Sequence, residues 1–186
     1  MKKSGYLGAG LKFAILCAEL ARNQIHEYEN MITVKQKRYM QMAIDLAEQS
    51  LDEKKGGPFG ALIVRDDKIV GASGNCEFMN IDPSAHAEIM AIRDACQNLQ
   101  TLDLSDCEIY SSGEPCPMCT AAIYWAKMKC IYFSNSEELA LEYGFLDKVI
   151  LSELRKPKQK RKIKNYKIPN RSALKLFKKA VKAGVV

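Results

Sequence analysis

With 186 residues, 47% of them hydrophobic and 27% charged, the chain is long enough to bury a core and too apolar for a disordered polymer. Its net charge of +6 conceals a division, because residues 155–186 hold 13 Lys or Arg and no acid, leaving 15 basic against 22 acidic residues before them, a net of −7. The seven cysteines are odd in number and scattered, which excludes the regular framework of a small secreted disulfide scaffold and indicates a reducing cytoplasm.

Taken in order, residues 1–32 form an N-terminal extension. Lys2 and Lys3 precede an apolar stretch, 11–18, that is similar to the start of a signal peptide. Lys12 and Glu19 interrupt it, and it is too short to cross a bilayer, so a short amphipathic helix is expected and no membrane partner. Met31 offers an alternative natural start, in which case the extension is not native. Thr33 with Gln36 makes a capping box. Tyr39, Met42, Ala43, Leu46 and Ala47 then recur at helical spacing, and Gly56-Gly57-Pro58 ends the helix. Two β-rich runs, 61–65 and 68–72, flank Asp66-Asp67 and predict a hairpin.

Asp82-Pro83-Ser84 signals a second helix, with Ala85, Ile89, Ile92, Cys96 and Leu99 as its buried face. Pro115 is placed to open a third, whose Met118, Ala121, Ala122 and Trp125 pack inward. Residues 107–111 and 129–133 read as strands, each after a helix. This alternation predicts an α/β fold, a three-layer α/β/α domain around a mixed sheet of about five strands, the first two antiparallel and the later ones parallel by crossover. The main domain spans 33–154. A basic tail, 155–186, follows, with a last helix over 172–182 whose apolar side is Leu174, Phe177 and Val181.

The chemistry concentrates in two short motifs, His86-Ala87-Glu88 and Glu114-Pro115-Cys116-Pro117-Met118-Cys119. An imidazole and two thiolates, from His86, Cys116 and Cys119, suit a tetrahedral Zn²⁺ and leave its fourth position for water. The metal brings the pKa of such a water toward neutrality. Glu88 is then placed to take the proton and pass it to a leaving nitrogen. Both motifs fall at helix starts, where the positive helix ends favour thiolate over thiol. Alone, the Cys-x-x-Cys would be a redox pair or half of a structural zinc knuckle; with His-x-Glu ahead of it, hydrolytic catalysis is the better reading.

His-x-Glu followed by Pro-Cys-x-x-Cys is the signature of zinc nucleobase deaminases, and the likeness extends further. Gly56-Gly57-Pro58-Phe59-Gly60-Ala61, Asp82-Pro83-Ser84-Ala85-His86-Ala87-Glu88 and Glu114 through Ala126, with Gly144-Phe145 and Asp147, resemble the bacterial guanine deaminases of the cytidine-deaminase fold over residues 34–155. The resemblance implies conversion of a purine base, guanine, to xanthine and ammonia by a homodimer, often domain-swapped. It implies His86, Cys116 and Cys119 as zinc ligands and Glu88 as proton shuttle. It also implies Asn75, Phe59 and Ala87 as substrate contacts, Asn75 by its amide and Phe59 as a ring wall, with Asp147 a second catalytic carboxylate beside the exocyclic amine. Asn75 as a turn residue, Phe59 as plain core and Asp147 as a solvated loop acid or a helix cap are the alternatives.

Two positions depart from that family. Ser112-Gly113 stands before Glu114 where a cysteine is commoner, and the chain ends in Val185-Val186 rather than a tyrosine that covers the site. The second makes guanosine or another nucleoside an alternative substrate. The basic tail supports a tRNA adenosine deaminase as a rival, since phosphate contacts dominate such binding; docking on the acidic body of the same or a neighbouring subunit, or plain solvation, is the better reading of the tail, because only Tyr166 and Phe177 could stack on bases there. A non-catalytic zinc scaffold would need a fourth protein ligand, for which Cys107 and Cys130 are the candidates by sequence.

Overall fold

The computed structural model describes residues 32–145 and 147–185; the helix and start-site expectations for residues 1–31 lie outside the described residues. In the first unit the elements run α1 (Val34–Asp52), β1 (Gly60–Arg65), β2 (Lys68–Gly74), α2 (Glu77–Asn80), α3 (Ala87–Leu99), β3 (Glu108–Gly113), α4 (Pro117–Trp125), β4 (Cys130–Asn135) and α5 (Glu137–Glu142). Thr33 caps α1 as its sequence demands. Its hydroxyl accepts the Gln36 N–H at 3.2 Å, and Gln36 Oε1 accepts the Thr33 N–H at 2.8 Å, satisfying two amides that the helix leaves without partners.

The β1–β2 hairpin turns through Asp66 and Asp67, both at positive φ, 48° and 63°. Such a two-residue connection requires that conformation because it matches the twist of the strands, and aspartate tolerates it. β1 also pairs antiparallel with β3, which pairs parallel with β4 across the α4 connection, giving the order β2-β1-β3-β4. The mixed sheet thus has four strands among the described residues, against about five expected. Alternation along the strands sends Leu62, Val64 and Tyr110 toward α1 and Ala61, Ile63 and Ile109 toward α3 and α4. Two apolar layers result, one on each face of the sheet.

Two helix faces differ from the expected ones. On α3 the fully buried stripe is Ala87, Ala91 and Ala95, while Ile92, Cys96 and Leu99 pack at its flanks. Gly71 explains this: a Cβ there would lie 2.4 Å from the Ala91 carbonyl oxygen and 2.8 Å from Ala95 Cβ. The helix backbone rests on β2, and only alanine fits between. Asp82 accepts from the Ser84 N–H and hydroxyl at 2.8 and 2.7 Å, so it closes a turn ahead of the helix, which begins at Ala87. On α4, Pro117 rather than Pro115 occupies the first turn. Cys119, Ile123 and Ala126 face inward, and Trp125 is 87% exposed. With Cys119 turned inward, the residues four and seven further on follow it and Trp125 is rotated out.

The chain divides into two compact units after Phe145. The second contains α6 (Asp147–Arg155), a 3₁₀ turn (Lys158–Lys160) and α7 (Arg171–Lys182), the last capped by the Asn170 side chain accepting the Ser172 N–H at 2.8 Å. Leu174, Phe177 and Val181 on α7 are exposed. No helix among the described residues is long and apolar enough to cross a membrane. All six described cysteines are free.

Candidate active site

His86 is the N-cap of α3 and Cys116 the N-cap of α4, both with extended backbone, and Cys119 lies in the first turn of α4. The two helix starts bring three donor atoms within 4.8 Å of one another. His86 Nδ1 stands 3.7 Å from Cys116 Sγ and 3.6 Å from Cys119 Sγ. A tetrahedral zinc, about 2.0–2.1 Å from nitrogen and about 2.3 Å from sulfur, requires an N–S separation of about 3.6 Å, so the three residues fit the ion. Among the described residues this is the one group of three or more such side chains close enough to hold a metal, with neither Cys107 nor Cys130 in it.

Protons are unevenly shared across the site. Donation from the Cys119 thiol, then from the His86 imidazole, draws Cys116 down to about 4. The same partnership, with burial and the nearby Glu88 carboxylate, pushes Cys119 up. Cys116 in turn lifts His86 to about 9 against the effect of burial.

Glu88, one residue into α3, is 5% exposed. Burial is the main cause holding its pKa above the usual carboxylate range. Its Oε2 accepts from Cys119 Sγ at 3.5 Å and its Oε1 from the Ser111 hydroxyl at 3.2 Å. Ser111, 1% exposed on β3, was not singled out from the sequence. Strand alternation alone would have placed it on the α3 side with Ile109, which is the available signal. The hydroxyl fixes one carboxylate oxygen and leaves the other beside Cys119.

Phe59 and Asn75 come together although 16 positions apart, because the Asn75 N–H donates to the Phe59 carbonyl at 2.8 Å. The Phe59 ring meets Phe145 edge-on, centroids 5.0 Å apart, and also packs on the α3 side of the core. A Cβ on Gly113 would lie 3.2 Å from the Phe59 ring, so a cysteine there would force the ring to give way. That is the physical meaning of the glycine before Glu114. Asn75 is buried and its side chain engages Glu77: Nδ2 donates to Glu77 Oε2 at 2.9 Å and Oδ1 accepts the Glu77 N–H at 3.0 Å. Ala87 is buried at the first position of α3, where helix geometry leaves the amide without an intrahelical acceptor. Asp147 opens α6 in the second unit, and its side chain lies outside what the structure describes.

A three-ligand metal site with a buried carboxylate beside it, at two helix starts on one side of a mixed sheet, defines a class of hydrolase. The chain belongs to the cytidine and deoxycytidylate deaminases: the family model for the "Cytidine and deoxycytidylate deaminase zinc-binding region" matches residues 33–135. It is a zinc-dependent hydrolytic deaminase. It is similar to the guanine deaminase of Bacillus subtilis (strain 168), 42% identical over 130 residues, 70% of this chain and 83% of that protein. The crystal structure of guanine deaminase from Bacillus subtilis matches with a TM-score of 0.76 at 39% identity, covering 78% of this chain and 93% of the other. A tRNA-specific adenosine deaminase from Aquifex aeolicus (strain VF5) is 36% identical over 96 residues, 52% of this chain and 63% of that protein.

Proposed function

We propose that this enzyme hydrolyses guanine to xanthine and ammonia. The observation that carries the reading is the placement of Glu88, buried, held by Ser111 and adjacent to the His86, Cys116 and Cys119 donors. The likeness over most of the chain to a guanine deaminase supports the choice of base. Zinc held by those three residues supplies a Lewis acid that makes water acidic enough to react near neutral pH and offsets charge developing on oxygen.

The remaining work falls to side chains of the protein. Glu88 takes a proton as the water oxygen bonds to the amine-bearing carbon of guanine, and hands it to the ring nitrogen that gives up its double bond to that carbon. The proton of the new hydroxyl then passes through Glu88 to the exocyclic nitrogen, the C–N bond breaks as the carbonyl forms, and ammonia leaves. Phe59 is the ring wall of the base pocket. Asn75, whose amide nitrogen carries a second hydrogen beyond the one given to Glu77, is assigned to a polar edge of the purine. Ala87 contributes its helix-start amide to the same edge. Asp147 is assigned to the exocyclic amine on the strength of its place after Gly144-Phe145 in the sequence. The basic tail is assigned to contact with a second copy, in a homodimer that exchanges this segment; sedimentation of the whole chain and of one ending at Phe145 tests that.

The direct test measures ammonia released by the zinc-loaded protein from guanine, guanosine, adenine, cytosine, cytidine and tRNA. Guanine is expected to be turned over with the highest kcat/KM. Preference for guanosine would replace the base with the nucleoside. Inosine formed in tRNA, with binding that collapses between low and moderate salt, would assign the tail to phosphate contacts and sink the guanine reading.

A further inference from the structure

We infer that Glu77 is a positioning residue of the metal centre, set behind His86 and anchored there by Asn75. The His86 ring turns Nδ1 to the two thiols, and its other nitrogen, Nε2, faces Glu77 Oε1 across 3.5 Å. The second carboxylate oxygen of Glu77 accepts the Asn75 side-chain N–H at 2.9 Å, while the Glu77 backbone N–H donates to Asn75 Oδ1 at 3.0 Å. Asn75 is itself held hard. It is 1% exposed, its N–H donates to the Phe59 carbonyl at 2.8 Å, and its carbonyl accepts the Ser50 hydroxyl. The helix that carries Glu77 is fixed from behind by the Lys55 carbonyl, which accepts the Phe78 and Met79 amides at 2.9 and 3.0 Å.

A neutral imidazole carries one proton, and it can ligate a metal only through the nitrogen that lacks it. An acceptor at Nε2 keeps the proton on that side, presents the Nδ1 lone pair to the ion and makes the ring a stronger donor. At 3.5 Å the contact is an ion-pair distance, and a few tenths of an ångström would bring it into hydrogen-bond range. Removing Glu77 leaves the ring free to take the other tautomer or to flip, either of which withdraws a ligand. Asn75 then has two tasks, since the same amide assigned to the purine edge also fixes the carboxylate behind the metal ligand. The inference rests on the zinc site and is independent of which base is the substrate.

The test compares zinc affinity, by competition with a chromogenic chelator, in the parent, Glu77→Ala and Glu77→Gln, with thermal unfolding of the metal-free proteins and guanine kinetics measured alongside. Glu77→Ala is expected to bind zinc about tenfold to a hundredfold more weakly. Glu77→Gln keeps an acceptor without the charge and is expected to fall between the two. Cobalt-loaded Glu77→Ala is expected to show altered ligand-field bands, and its metal-free form to unfold somewhat earlier than the parent for want of the Asn75 contact, so zinc affinity is compared at a temperature where all three metal-free proteins are folded. Zinc affinity within twofold of the parent in both variants overturns the inference. So does a rise in KM for guanine with zinc affinity unchanged, which assigns Glu77 to holding Asn75 for the substrate alone. Failure of guanine turnover in the parent leaves the affinity comparison intact.

Discussion

Between β1 and β3, the side chains of Leu62, Ile63, Ile109 and Tyr110 are at most 1% exposed, whereas none of the second unit's residues 149–185, whose burial the structure describes, is buried. The charges divide the same way, with 14 basic against 2 acidic residues in 146–186 and 14 basic against 20 acidic in 1–145. The first unit is held by apolar burial on both sheet faces, and it is within that dry interior that a carboxylate such as Glu88 acquires a raised pKa. The second unit offers charge and an exposed stripe, Leu174, Phe177 and Val181 on α7. One region buries a carboxylate beside three metal-binding side chains; the other leaves its charges and its apolar stripe exposed.

Four substitutions break or sharpen that contrast. Glu88→Gln keeps the shape of the buried side chain, replaces one of its two accepting oxygens by an amide NH2 that cannot accept, and so removes the proton acceptor. It is expected to lower kcat about 10²–10⁴-fold, about 3–5 kcal/mol, with zinc content unchanged by metal analysis. Retained turnover would remove the shuttle from the mechanism. Leu62→Ala, at a fully buried position facing α1, is expected to cost about 2–5 kcal/mol in urea unfolding. A cost below about 1 kcal/mol would mean that the sheet face tolerates a cavity and that burial is not what distinguishes the first unit.

Ser111→Ala deletes the hydroxyl that fixes Glu88 Oε1. A lost hydrogen bond to a charged group is worth about 1.5–3 kcal/mol, and about tenfold in kcat is expected with zinc affinity unchanged. Equal kinetics in steady-state assays would show that Cys119 and the helix start hold the carboxylate by themselves. Phe177→Ala, on a residue 74% exposed, is expected to change unfolding of the isolated chain by no more than about 0.5 kcal/mol. Its effect should instead appear as weaker self-association in sedimentation, and an unchanged association constant would leave the tail without its assigned partner.

The donor trio His86, Cys116 and Cys119, with Glu88 beside it, was legible because such chemistry needs particular atoms at particular spacings, and these residues stand out by identity and order alone. Capping and turn chemistry were legible for the same reason, as at Thr33-Gln36 and Asp66-Asp67, where the local backbone dictates the residue. Sequence could not give the rotation of α4, since Trp125 and Ile123 fit an inward stripe equally well until Cys119 is seen to turn inward toward His86 and Glu88. Nor did periodicity foretell the alanine stripe of α3, which follows from how closely Gly71 lets the helix backbone approach.

Glu77 and Ser111 cannot be read from the sequence because neither belongs to a motif. Each meets its partner from a distant position or another element, His86 in one case and Glu88 in the other. Atoms that must touch a metal or a proton are restricted to a few side-chain types and so can be read from the sequence of this protein. Atoms that aim those side chains act across 9 and 23 positions, and only the folded backbone brings them into reach.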